Sequence, residues 1–164
     1  MFRSQTYGNV KLKDIPEKLL DYYNKVKHYG STFRIIIGTD SQNFSDTKMV
    51  SVIAAICEGH GGIFFYEITR QPLITDVRKK LHIETNSSLN IATALVSEIE
   101  DNQKYEELYL NSTFSIHVDA GNSNKGKTKE LIPELVGWIH ACGYDCSVKP
   151  DSYVASSIAD KISK

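Results

Sequence analysis

Three β-rich runs follow one another with only short polar breaks between them. They are FRIIIGT (33–39), MVSVIAAIC (49–57) and IFFYEIT (63–69). The breaks, DSQNFSDTK and GHGG, are of hairpin length. Connections this short join antiparallel neighbours, whereas a parallel crossover needs roughly a dozen residues or more. The runs are therefore expected to form an antiparallel meander. Two further runs, TFSIHVD (113–119) and CSVKP (146–150), each follow a segment of helical period. The first of these segments extends from about Glu84 to Glu100, with Ile91, Leu95 and Ile99 on one face. The second extends from Lys127 to Cys142, with Leu131, Leu135, Trp138 and Ile139 inward. Crossovers of that kind predict parallel pairing.

The remaining elements complete the order. Asp14 is expected to cap a helix that carries Pro16 in its first turn and Ile15, Leu19, Tyr23 and Val26 on one face. Tyr29-Gly30 ends it. RQPLITDVRKKLH shows no clear period and is read as loop with some helix. Asp151 is expected to cap a last helix running to the C-terminus. The prediction is a helix followed by β-β-β-α-β-α-β-α. That is an α/β domain with a five-stranded mixed sheet flanked by helices, and the order is that of ribonuclease H-like folds. It spans residues 1–164, with 1–30 as an N-terminal helical extension.

Bulk properties exclude several classes. The 164 residues suit one core. No apolar run could span a membrane. The N-terminus lacks a signal-peptide core, so a cytoplasmic protein is expected. Cys57, Cys142 and Cys146 have neither disulfide-framework nor zinc-site spacing and read as reduced thiols. A net charge of −1 gives no overall electrostatic footprint for nucleic acid, so any such contact would rest on local basic patches.

Two acids fall where parallel neighbours would bring them together. Asp40 follows RIIIGT at the end of the first strand, and Asp119 follows FSIHV at the end of the fourth. Glu84 stands at the start of the first long helix, on the same face as positions 88, 91, 95 and 99. Asp160 lies in the last helix with Ser156, Ser157 and Lys164. Each has a plain structural reading: turn residue, dipole partner or partner of Lys164. Together they would be four converging carboxylates, which repel unless protonated or bound to a cation. Oxygen ligands with few histidines suit Mg²⁺ or Mn²⁺, and two such ions would serve phosphodiester cleavage.

Gly121 to Thr128 also matches the phosphate-binding pattern G-x-x-x-x-G-K-T, after a strand and before a helix. The later context fails. Only CSVKP follows, and it is not the apolar run that should precede a metal-binding Asp. In a permuted order ending on RIIIGTD, a GTPase would need glycine where Asn43 stands. The loop reads better as a sharp turn that sets Lys125, Lys127 and Lys129 beside the acids, to hold polynucleotide phosphates. Arg78, Lys79 and Lys80 form a second basic cluster. His82 and His117, each two residues before an acid, leave a mononuclear zinc hydrolase as a lesser reading.

TYGN, IGTDSQ (37–42), ETNSSL (84–89), HVDAG with GKTKELIPELVGW, and KPDSYVASSIADK together resemble the YkuK-like family of small bacterial proteins, assigned to the ribonuclease H-like superfamily. The resemblance covers nearly the whole chain. It implies a ribonuclease H-like fold and a carboxylate metal site at Asp40, Glu84, Asp119 and Asp160. It favours Asp160 over Asp151 as the fourth acid. The expected function is a two-metal nuclease acting on nucleic acid, with a non-catalytic nucleic-acid or protein-binding module as the alternative.

Overall fold

A computed structural model describes residues 1–121, 127–149, 151–154 and 157. The strands are β1 (Phe2–Ser4), β2 (Gly8–Val10), β3 (Phe33–Asn43), β4 (Thr47–Cys57), β5 (Gly62–Gln71), β6 (Ser112–Gly121) and β7 (Asp145–Lys149). The helices are α1 (Ile15–Val26), α2 (Val77–Glu100), the short α3 (Glu106–Leu110) and α4 (Lys127–Ala141). The strands make one mixed sheet in the order β2-β1-β5-β4-β3-β6-β7. β3, β4 and β5 pair antiparallel as the meander. β6 joins β3 in parallel, and β7 joins β6 in parallel.

The described sheet has seven strands, two more than the sequence predicts. The extra pair, β1 and β2, is an N-terminal hairpin whose β1 pairs with β5 at Arg3↔Tyr66. Each strand is three residues long, too short for an alternating pattern to register.

Two boundaries also move. β3 does not stop at Thr39. It runs to Asn43 and stays paired with β4 throughout, Asp40 opposite Val50. Helix α2 begins at Val77 rather than near Glu84. The Asp76 carboxylate caps it, accepting the N–H of Arg78 at 2.9 Å and of Lys79 at 3.4 Å. Its first turns carry Arg78, Lys79 and Lys80 and lack an apolar stripe, which hides them from a periodicity reading. Asp14 does occupy the residue before α1, but its side chain makes no capping bond. Gly30 ends the following 3₁₀ turn at φ 67°, the left-handed conformation that glycine adopts without strain.

The main core lies on one face of the sheet. Ile35, Ile37, Ile53 and Phe65 meet Leu19 of α1, Leu89, Leu95 and Ile99 of α2, and Leu131, Leu135 and Ile139 of α4. Burying each such side chain contributes about 1.5–3 kcal/mol. On the other face Ile36, Val50, Val52 and Ala54 form a smaller cluster with Val154.

Candidate metal centre

Strand register decides where the acids go. β3 and β6 pair in parallel from Phe33↔Ser112 to Gly38↔His117. Two residues beyond the last pair, in the same register, come Asp40 and Asp119. Equivalent residues of parallel neighbours point to the same face. Ile35, Ile37, Ile116 and Val118 belong to the main core, so Asp40 and Asp119 are turned to the opposite face. The two carboxyls lie side by side, as expected, although Asp40 sits within a strand rather than past its end.

Their proximity is visible in the Asp40 carboxyl, pushed up to about 6. Burial is the first cause, followed by the Asp119 charge and a hydrogen bond shared with Asp119. The Ser41 N–H, 2.8 Å from Asp40 Oδ1, and the Lys149 ammonium oppose the shift. Two like charges this close favour one retained proton.

Glu84 approaches from the helical side. It lies two turns into α2 and is 7% exposed, so it does not complement a helix N-terminus. The Ser41 hydroxyl donates to Glu84 Oε1. One turn further on, Ser88 donates to Thr39 Oγ1 at 2.9 Å, and Thr39 hydrogen-bonds Ser51 at 2.9 Å. This buried polar chain ties α2 to β3 and β4 and fixes where Glu84 sits. Its carboxyl is pushed up to about 8, by burial first and then by Asp40 and Asp119, while Ser41 and Lys80 pull the other way. Glu84 and Asp119 both line one tightly packed crevice, with Thr39, Thr85, Ser88, His117 and Val118.

Lys149 is the site residue that sequence reasoning missed. Its Nζ lies 2.7 Å from Asp119 Oδ1. That oxygen is buried and accepts no hydrogen bond among the described residues, so the contact is an ion pair without hydrogen-bond alignment. The available signal was the parallel pairing expected for CSVKP, which carries its lysine to the same sheet end as Asp119.

Other expected residues fall out differently. Asp160 and Lys125 lie outside the described residues, as does most of the glycine-rich loop. Lys127 opens α4, and Lys129 is exposed on its first turn. Asp151 is exposed in the turn after β7, not directly before the helical residue Val154. The paired-histidine zinc site does not assemble. His82 Nε2 is 3.2 Å from Glu134 Oε1 on α4, with its ring edge-on to Trp138. His117 shares the Asp119 face but is buried. Its Nδ1 accepts the Tyr153 N–H at 3.4 Å, and burial, then Arg34, lowers it to about 4, leaving the ring neutral.

Among the described residues, no three histidine, cysteine, aspartate or glutamate side chains are grouped closely enough to hold an ion as they stand. The donor chemistry nevertheless fits a hard divalent cation. Asp40 and Asp119 offer carboxylate oxygens, one of them buried and without a hydrogen bond. The raised carboxyls of Asp40 and Glu84 are sites where a cation would replace a proton.

Comparison with known proteins bears on the same residues. A ribonuclease H-like family model matches residues 14–164. The chain is 30% identical to the uncharacterised protein YkuK of Bacillus subtilis (strain 168), over 172 aligned positions covering 100% of this chain and 97% of YkuK. Among solved structures, the Mos1 transposase catalytic domain with raltegravir and Mn aligns over 93% of this chain and 70% of its own, at 13% identity and a TM-score of 0.34. The same domain with Mg gives 13% identity and a TM-score of 0.33, over 93% and 71%. Those two structures are too distant to bear on the site. The family model and the YkuK match both run through the meander, the two crossovers and the strands that carry the paired aspartates, and on that ground this chain belongs to the ribonuclease H-like family.

Proposed function

We propose that the protein is a metal-dependent nuclease that hydrolyses phosphodiester bonds in nucleic acid, working as one cytoplasmic domain. The observation that carries this reading is the acidic pair at matched register on β3 and β6. Two half-buried carboxyls held together against their own repulsion destabilise the fold unless something positive resolves them. Asp40 and Asp119 would hold Mg²⁺ or Mn²⁺ from the sheet, with Glu84 and Asp160 as outer ligands. Ions held there would supply activation of a water and charge stabilisation at the leaving oxygen.

The chain's own residues set the rest. Ser41 and the Ser88–Thr39–Ser51 chain keep Glu84 from swinging away. Rigid strands beneath Asp40 and Asp119 limit reorganisation as charge develops, the basis of electrostatic catalysis. Lys125, Lys127 and Lys129 would hold phosphates as point charges. His117, neutral and buried, adds no positive charge to compete with the cation.

The test is a calorimetric Mn²⁺ titration of the wild type and of Asp119→Ala, with and without a short RNA–DNA hybrid, followed by cleavage assays on hybrid, RNA and DNA. The proposal expects saturable binding that the variant loses, and Mn²⁺-dependent cleavage of at least one substrate. Hybrid binding without cleavage under any divalent ion would refute catalysis and leave a binding module.

A further inference from the structure

Lys149 stands where a cation is wanted. It ends β7, whose parallel register sets it opposite Gly121, two residues past Asp119. Its Nζ reaches 2.7 Å from the buried Asp119 Oδ1, the oxygen without a hydrogen-bond partner among the described residues. The Lys149 charge also acts on Asp40, so one ammonium serves both members of the pair. The two ends of the contact differ in freedom. The Asp119 side chain is 16% exposed and fixed in the sheet, whereas that of Lys149 is 49% exposed on a flexible four-carbon stem. An ammonium half in solvent can leave without being stranded in an apolar environment. It can also arrive without reorganising the strands.

We propose that Lys149 is the resting counter-ion of the acidic pair, occupying the cation position beside Asp119 in the metal-free protein and being displaced by a divalent ion. This rests on the metal-site reading above. Lysine and metal compete for the same oxygen, and their charges repel. Each therefore weakens the other by the same factor. Lys149 makes metal affinity lower than the carboxylates alone would give, and in return keeps the empty site from carrying unopposed charge.

The experiment is Mn²⁺ calorimetry on the full chain as wild type, Lys149→Met, Lys149→Arg and Asp119→Asn, with circular dichroism to confirm folding. Lys149→Met is expected to bind Mn²⁺ about tenfold more tightly, within the usual range for coupled sites. Lys149→Arg, which keeps the charge, should stay near wild type, and Asp119→Asn should lose binding. Urea midpoints give a second readout. Lys149→Met should fall below wild type in chelator and draw level in saturating Mn²⁺. Lys149→Gln replaces it if Lys149→Met does not fold. Equal Mn²⁺ affinity in wild type and Lys149→Met, with binding lost in Asp119→Asn, overturns the counter-ion role and leaves the metal site standing. Weaker binding in Lys149→Met also overturns it, because the lysine would then be helping to build the site. Absence of binding in both overturns the metal site and the counter-ion role together.

Discussion

Glu84→Gln should stabilise the metal-free protein at alkaline pH. Glu84 has an ordinary value of 4.5 and is pushed up to about 8 in the folded state, chiefly by burial. Between those values the unfolded chain has released the proton while the folded chain retains it. The folded state then binds more protons, so stability falls as pH rises. The contribution is fully present below about 4.5 and is lost as pH climbs through about 8. At 1.36 kcal/mol per pH unit of differential binding, Glu84 alone removes on the order of 2 kcal/mol between pH 6.5 and 8. Two other groups act mainly below this window. Asp40, raised to about 6, has the same sign. His117, lowered from 6.5 to about 4, has the opposite sign, because its folded form resists the proton. Above pH 6.5 their residual effects oppose each other and amount to a few tenths of a kcal/mol.

Glutamine keeps the size of Glu84 and an oxygen for the Ser41 hydroxyl, and it cannot ionise. Urea unfolding in chelator at several pH values from 6.5 to 8 would read both chains. The wild type should lose stability across the window. Glu84→Gln should stay nearly flat and exceed wild type at pH 8 by on the order of 4 kcal/mol. In saturating Mn²⁺ the wild-type decline should vanish, since the cation then takes the place of the proton. A Glu84→Gln slope equal to that of wild type, or a variant less stable at pH 8, would refute the claim that this carboxyl is held protonated by its surroundings.

Three other substitutions probe separate parts of the structure. Asp76→Ala removes the two capping bonds at the start of α2 and should cost about 1 kcal/mol in urea unfolding. Leu95→Ala opens a cavity at a fully buried position of the same helix, and calorimetric or urea unfolding should show a loss of about 2–5 kcal/mol. If Lys129 holds a phosphate, Lys129→Gln should lower nucleic-acid affinity evenly across sequences and reduce the log K against log salt slope by about 0.9 on a duplex.

The sequence was most legible where one local pattern dominated. RIIIG, VSVIAAI and IFFY announce strands because β-branched and aromatic residues crowd there, and the short breaks between them leave only hairpins. The end of β3 was hidden because Asp40, Ser41, Gln42 and Asn43 read as loop residues, yet β4 pairs with every one of them. The start of α2 was hidden for a similar reason: its first turns face solvent with basic side chains. Both errors fall beside the acids, where polar residues replace the apolar ones that make an element recognisable. Lys149 was missed for a different reason. No local pattern marks it, and its role comes from a register between β6 and β7 that only the assembled sheet defines.

The same point explains why the acidic pair can exist at all. Asp40 and Asp119 gain nothing from being adjacent, so the contact must be imposed by the residues around them. Ile35 and Ile37 on β3, with Ile116 and Val118 on β6, turn one side of each strand into the main core. A slip of one residue on either strand would carry that apolar set to the other face. The cost would be several buried side chains at about 1.5–3 kcal/mol each, comparable to or larger than the repulsion between two neighbouring carboxyls. The core therefore selects the register, and the register sets the acids side by side. Neutralising either aspartate should accordingly leave the sheet intact, whereas a polar residue at Ile37 or Ile116 should loosen the acid pair without touching it.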